Sequence, residues 1–422
     1  MEERFHPRRE FTNSDCFLIF VVMKQNKTYI ITGATGFLGQ KLVRAFVKAG
    51  DDVVLIVRGG AGVSASSRID TLFDFNKEEQ KQVRVIDSDL ENIDIAQEIE
   101  DFVAVSNLKI DGIWHLAANL SFRSKDRESV NNVNFIGTQR LVKLAKKLNV
   151  PLFYVSTAYV HGQRDGALKE DELLSTRFNN AYEESKFMTE RYLKAERENG
   201  LRYIVFRPAI LIDIDDNASS IHSPFGYYSI LQLMHSLVLS LRNFIGEHKI
   251  IASILGLRID TSEILHSYYL PFLVTKTTLN LVPVDVAVAT MVRIINNSTN
   301  FQYDTFHIVS PVALSMRKIA KVTFDELKMK AHIVELPRFV MRGIFMVIYF
   351  LSKLFTGLVG ISKKLHQYGY YMTKTYHFDT IQTEQVYGKH EYTSLFSNST
   401  EDLRYAARVF IGKQKSLKEK SL

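Results

Sequence analysis

The sequence predicts an α/β fold: a doubly wound parallel sheet with a smaller, mostly helical C-terminal part that covers a substrate. Three observations carry this. Short apolar runs alternate with longer helical patterns from residue 28 to about 210. A glycine-spaced turn, Thr32-Gly33-Ala34-Thr35-Gly36-Phe37-Leu38-Gly39, joins the first strand to the first helix. After Pro208 the rhythm changes to aromatic and apolar stretches with little alternation.

The strand candidates are Tyr29–Thr32, Val53–Val57, Val83–Ile86, Gly112–Leu116, Leu152–Ser156 and Tyr203–Phe206. They are rich in Val, Ile, Tyr and Phe and too short for helices. Between them Phe37–Ala49, Glu91–Val103, Glu128–Leu148 and Tyr182–Asn199 carry helical spacing. In the third, Leu141, Leu144, Ala145 and Leu148 share one face, and Lys143, Lys146 and Lys147 point away from it. Further on, LVPVDVAVATMVRII reads as a short strand entering a helix, and FHIVS reads as another strand. Residues 315–422 read as mostly helical and amphipathic. The predicted organisation is a dispensable extension at 1–22, a dinucleotide-binding Rossmann domain at 23–212 and a substrate-binding part interleaved with it at 213–330. A helical C-terminal region follows at 331–422. No Pro/Gly/Ser-rich linker, internal repeat or low-complexity segment separates them.

Composition narrows the class. The 422 residues are 46% hydrophobic and 23% charged, which excludes a disordered chain, a collagen-like fibre and a disulfide scaffold. One cysteine, Cys16, cannot form an internal disulfide, so a reducing, cytoplasmic setting is expected. The net charge of +7 suits an anionic ligand, a membrane surface or nucleic acid without choosing among them. No basic run with interleaved aromatics supports nucleic acid, and no metal-ligand spacing surrounds His115 or His161, which read as core or loop histidines. Phe17–Met23 is too short for a secretory signal and runs straight into Lys24. Two longer apolar stretches stand out. Within Ile221–Leu241, ILQLMHSLVLSL fits a buried helix. Phe339–Ile361 is interrupted by Arg342 and Lys353, each costing about 2.5–3.5 kcal/mol at a membrane centre, so a buried or lid helix, or a helix lying on a membrane surface, is expected before a span.

The glycine turn points to a dinucleotide. Gly33, Gly36 and Gly39 permit a tight turn and let a pyrophosphate approach the backbone, with Thr35, Phe37 and Leu38 between them. The following helix offers free N–H groups and a positive dipole end. About 20 residues on, where NAD readers place Asp or Glu, stands Arg58. A guanidinium there favours a 2′-phosphate, so NADPH is expected ahead of NADH; the alternatives are a solvated arginine or one stacked on adenine. After the third strand, Asp89-Leu90 offers a carboxylate to the adenine amino group, with a helix N-cap as the competing role.

Ser156 and Thr157 end the fifth strand, and Tyr182 and Lys186 lie four apart on one helix face. A hydride reaching a carbonyl carbon leaves an oxyanion that needs a proton. Bringing a phenol from about 10 towards neutrality takes about 4 kcal/mol. An ammonium about 4 Å away at an effective dielectric near 20 supplies roughly that. On this reading Tyr182 is the acid and Lys186 its activator and a holder of the nicotinamide ribose. Thr157 or Ser156 donates a hydrogen bond to the oxyanion.

The segments TGATGFLG, HLAANLSF, NFIGT, YVSTAYVHG, YEESKFMTE and RPAI together resemble the extended short-chain dehydrogenase/reductases. Within that superfamily the chain is similar to the male-sterility type, which includes fatty acyl-CoA reductases and terminal thioester reductase domains. The likeness covers roughly residues 28–310 and is faint in SPFGYY, residues 223–228. It implies that Ala117 and Ala118 line the cofactor and that Asn134 steadies the site. It also implies that Thr157, Tyr182 and Lys186 are catalytic, and that Arg207-Pro208 closes the nicotinamide end. The expected substrate is an acyl-CoA or acyl-carrier thioester. A homodimer and peripheral membrane contact are left open. The competing readings are a nucleotide-sugar epimerase or dehydratase, a sterol or ketone dehydrogenase, and a catalytically silent NADP-binding sensor or scaffold.

Overall fold

The computed structural model describes residues 26–60, 62–164, 166–215, 225–297, 304–354 and 359–419. Cys16, the 1–22 extension and residues 221–224 lie outside them.

Every expected strand and helix of the first half forms. The strands are β1 (Thr28–Thr32), β2 (Asp52–Val57), β3 (Val83–Asp87), β4 (Gly112–His115), β5 (Leu152–Val155) and β6 (Tyr203–Pro208). The helices are α1 (Phe37–Ala49), α2 (Ile95–Val105), α3 (Gly137–Lys147) and α4 (Ala181–Glu198). Ahead of α3, Arg127–Asn131 is helical and Asn132–Ile136 forms a π-helical stretch, so the predicted single helix carries a bulge. Widened turns of this kind are frequent at functional positions.

Alternate residues of the strands feed two cores. Tyr29 and Ile31 of β1 join Leu42, Phe46, Trp114 and Phe206 on one face; Ile30 joins Val54, Ile113, Leu141 and Leu193 on the other. A strand buried on both faces reads as a continuous apolar run, which is why TYIIT and DVVLIV were legible. The sheet has seven parallel strands in the order β9-β6-β5-β4-β1-β2-β3, where β9 is Thr305–Ile308, the FHIVS segment. The order reverses on either side of β1, and the crevice at such a switch point is where ligands bind.

The later chain is mostly helical, as expected, and also holds a second sheet. Helix α5 (Tyr227–Glu247) buries Leu231, Met234 and Val238, as a buried helix should. It is followed by a three-stranded sheet of β7 (Leu257–Ile259), β8 (Leu265–Thr275) and β10 (Met329–Leu336), with β8 central. Pro271 hid β8 in the sequence, because proline is tolerated in a strand only at edges and bulges. Here the β8–β10 register shifts between Ser267 and Phe272, which accommodates it. β10 lies inside the stretch read as helical, and its period-two alternation was missed.

Between β8 and β10 lie α6 (Val284–Asn297), which covers one face of the main sheet, and α7 (Met316–Glu326). Helix α8 (Arg338–Leu351) is not the buried or lid helix expected: only Met341 is buried, while Phe339, Met346, Val347 and Phe350 are exposed. Helix α9 (Val359–Met372) takes the covering position instead. His377-Phe378 then pairs in parallel with Ala167-Leu168, and α10 (Ser399–Glu419) inserts Leu403, Ala406 and Phe410 beside Tyr227 and Leu231. No described helix is long and apolar enough to cross a membrane.

Candidate active site

The C-terminal ends of β1, β4, β5 and β6 open into one cavity of about 950 Å³. That is near the top of the roughly 300–1,000 Å³ range of small-molecule sites, and it has room for more than one ligand moiety. Its lining brings together nearly every residue expected: Gly33, Thr35, Gly36, Phe37, Leu38, Gly39, Arg58, Asp89, Leu90, Ala117, Ala118, Ser156, Thr157, Tyr182, Lys186 and Pro208.

The glycine turn is specified by space as well as conformation. Gly33 has φ +77°, and a Cβ there would sit 2.5 Å from Ala117 N. A Cβ on Gly39 would sit 2.0 Å from Gly33 O. Gly36 N donates to Gly33 O at 3.0 Å, closing the turn. The start of α1 lines the cavity and no side chain caps the helix, which suits a pyrophosphate.

At the far end, Arg58 pairs with Asp89 at 3.1 Å, its side chain 68% exposed. Asp89 also accepts from Glu91 N at 3.0 Å, so it serves as a local cap while facing the cavity. Arg68, from the helix Ala65–Leu72, lines the same end and donates to Arg58 O. Sequence reasoning missed Arg68, because nothing in its local pattern tells which helix face meets the end of β2.

Tyr182 and Lys186 project from the start of α4. Asn180 caps that helix, its side chain accepting from Glu183 N at 2.9 Å. Lys186 is buried, donates to Val155 O at 2.7 Å and lies 4.5 Å from the Tyr154 ring centroid. It is 5.9 Å from the Tyr182 ring centroid. The Thr157 hydroxyl is within hydrogen-bonding reach of the Tyr182 phenol and accepts from Tyr159 N at 3.2 Å. Ser156 Oγ is buried without a hydrogen-bond partner among the described residues. A buried hydroxyl left open at the mouth of a cavity fits a polar ligand group there.

The expected electrostatics need correction. Burial pushes the Tyr182 phenol above its ordinary range, with the Glu183 carboxylate adding to the rise and Thr157 opposing it. Burial also lowers Lys186 to about 7, against the opposing pull of Glu190. Desolvation is the largest cause at both groups.

Asn134 sits in the π-helical stretch, buried. Its Oδ1 accepts from Asn119 N at 2.7 Å, and its Nδ2 donates to Asn119 O at 3.1 Å and Ser185 Oγ at 2.9 Å. It ties the loop after β4 to α4, the helix that carries Tyr182 and Lys186. His115 is a core residue, bonded through Nδ1 to Thr32 Oγ1 and through Nε2 to Thr138 Oγ1, and burial lowers it to about 3. Pro208 lines the cavity, but Arg207 does not close it. The Arg207 side chain points the other way and pairs with Glu190 at 2.6 Å, in a buried cluster with His161 and His307. Among the described residues no cluster of His, Cys, Asp or Glu is arranged to hold a metal.

The cavity around Tyr182 also has an aromatic wall, which was not read from sequence. Phe122 lies 6.1 Å from Tyr182, 5.3 Å from Phe225, 5.8 Å from Tyr368 and 6.0 Å from Tyr371, ring centroid to centroid. The last two come from α9, whose meeting with the cavity depends on the path of more than a hundred intervening residues.

A seven-stranded parallel sheet, a glycine turn at its switch point and a Thr-Tyr-Lys set in the adjoining cavity define an extended short-chain dehydrogenase/reductase. The male sterility protein family matches residues 31–291, more than half of the chain, and the chain belongs to that family. The chain is 33% identical to human fatty acyl-CoA reductase 1 over 156 residues, 33% of this chain and 30% of that protein. It is 26% identical to a putative dihydroflavonol 4-reductase of Synechocystis over 185 residues, 43% of this chain and 48% of the relative. These matches span less than half the length of the relatives. In fold, the chain is similar to the terminal R domain of the myxalamid biosynthetic pathway, with a TM-score of 0.65 at 18% identity over 94% of this chain and 98% of that one. It is also similar to UDP-glucuronic acid 4-epimerase from Bacillus cereus in complex with NAD, with a TM-score of 0.58 at 16% identity over 90% and 96% of the two chains.

Proposed function

We propose that the protein is an NADPH-dependent reductase of a thioester carbonyl, acting on a fatty-acyl or related thioester. The observation that carries this reading is the shared cavity, with Tyr182, Lys186 and Thr157 at one end and Arg58 and Arg68 at the other.

The glycine turn and the N-terminus of α1 suit a pyrophosphate, and the two guanidinium groups suit a 2′-phosphate. Bound NADPH supplies a hydride to the carbonyl carbon. Tyr182 then protonates the carbonyl oxygen, and Thr157 donates a hydrogen bond to it. The alkoxide left by hydride addition is a much stronger base than a phenolate, so a buried, raised phenol still serves as the acid. The resulting hemithioacetal breaks its C–S bond to give aldehyde and thiol. Lys186, held by Val155 O and the Tyr154 ring, orients the ribose next to the phenol. A second reduction to alcohol would need a second NADPH and would use the same groups.

NADPH oxidation with palmitoyl-CoA tests the reading, with a simple ketone and a nucleotide sugar run beside it. The expected result is turnover with the thioester, lost in Tyr182→Phe. Turnover only with the ketone, or tightly retained NAD in the purified protein, would favour the ketone reductase or epimerase reading.

The exposed apolar face of α8 supports peripheral contact with a membrane, since Phe339, Met346, Val347 and Phe350 are open to solvent. Between Glu335 and Asp379 there are six Lys or Arg residues and no acidic one, which favours an anionic surface.

A further inference from the structure

We propose that Tyr371 is a positioning residue of this site, its hydroxyl and ring fixing the segments that carry Tyr182 and Thr157 relative to each other. The proposal rests on Tyr182 as proton donor.

Tyr371 is 189 residues from the catalytic tyrosine in sequence, yet its hydroxyl bonds to both ends of the first turn of α4. It accepts from Asn180 Nδ2 at 2.9 Å and donates to Glu183 Oε1. Asn180 is the N-cap of α4, and Tyr182 immediately precedes Glu183 in that turn. The same ring packs edge-on against Tyr159, 5.0 Å between centroids, and Tyr159 N donates to Thr157 Oγ1. One side chain therefore touches the cap of the helix bearing the acid and the turn bearing the oxyanion donor.

Glu183 is buried in the first turn of α4. Its carboxylate is fully enclosed and also accepts from Asn179 N at 2.9 Å and Asn179 Nδ2 at 3.0 Å. Burying a carboxylate is expensive unless its lone pairs are filled, and Tyr371 fills one of them. The arrangement holds the first turn of α4 to α9 rather than to solvent.

The position of Tyr371 is itself fixed from outside. Met372 O accepts from Thr277 Oγ1 at 2.8 Å, and Lys374 Nζ donates to Gln163 O at 2.7 Å. Tyr371 also forms part of the aromatic wall around Phe122. A substrate that presses on this wall presses on the residue that holds the acid, so the C-terminal region acts on catalysis as well as on binding.

The test uses the full chain and three variants: Tyr371→Phe, Tyr371→Leu and Tyr182→Phe. The Phe variant keeps the ring and loses both hydrogen bonds. Its kcat for NADPH oxidation with palmitoyl-CoA is expected to fall about 10-fold. KM should stay within about twofold, because the wall is intact. The Leu variant is expected to raise KM as well. Hydrogen exchange should quicken in the Phe variant at residues 157–162 and 179–185 and stay unchanged elsewhere. Tyr371→Phe with parental kcat and exchange, beside an inactive Tyr182→Phe, overturns the positioning role. Full activity in Tyr182→Phe overturns the proton-donor reading instead, and unchanged exchange in Tyr371→Phe overturns the proposal even where no turnover is seen.

Discussion

The ammonium of Lys186 is held by the main chain of the neighbouring strand, donating to Val155 O at 2.7 Å. Burial lowers it to about 7, so in the cofactor-free protein it carries its charge only below that pH. The unfolded chain keeps the proton to about 10.4. Above pH 7 the unfolded state therefore binds more protons, and stability rises with pH at up to about 1.4 kcal/mol per unit. Lys186→Met should remove that rise between pH 7 and 9. Urea midpoints at pH 7, 8 and 9 check it; parallel curves for parent and variant would refute the shift.

Arg58→Ala should raise KM for NADPH at least about 10-fold and leave KM for NADH little changed, since a charge-assisted bond to phosphate contributes well over 1 kcal/mol. Arg68→Ala should act in the same direction. Neither should move the melting temperature much, because the Arg58–Asp89 pair is exposed and such pairs contribute about 0–1 kcal/mol. Equal losses with both cofactors would show that the arginines do not read the phosphate.

Gly39→Ala places a methyl 2.0 Å from Gly33 O, a clash with backbone that no rotamer relieves. We expect about 1–3 kcal/mol of destabilisation, or a displaced turn with lost dinucleotide affinity. Denaturation and cofactor titration together check this. A variant of parental stability and affinity would mean the turn is looser than its packing suggests.

Asn134→Ala leaves a main-chain N–H, a main-chain carbonyl and the Ser185 hydroxyl short of partners. The expected cost is about 1–3 kcal/mol. Because Asn119 lines the cavity, kcat should fall with it. Unchanged kcat at reduced stability would make Asn134 purely structural.

Phe350→Glu on the exposed face of α8 should abolish co-sedimentation with vesicles of mixed phosphatidylcholine and phosphatidylserine, with fold and turnover intact. Equal sedimentation of parent and variant, or none by the parent, would rule out this surface as a membrane contact.

Much of the site was legible because it is local. The glycine spacing, the Ser156-Thr157 strand end and the four-residue Tyr182–Lys186 interval each lie within one strand–turn–helix unit, where neighbours in sequence are neighbours in space. Arg207 shows the limit of motif reading. It adjoins Pro208 in sequence, but alternate residues of a strand face opposite sides, and its side chain enters the Glu190 cluster. Arg68 and the rings of Tyr368 and Tyr371 had no local signal at all.

The amino-acid order alone determined the parallel sheet, the glycine turn and the shared helix face of Tyr182 and Lys186, because strand burial and helix periodicity are written in neighbouring residues. The folded chain decided the rest: the second sheet around Pro271, the aromatic wall, and the raised phenol beside a lowered amine. Those follow from desolvation and from contacts between segments that lie from a few to more than two hundred residues apart, which neighbouring residues do not specify.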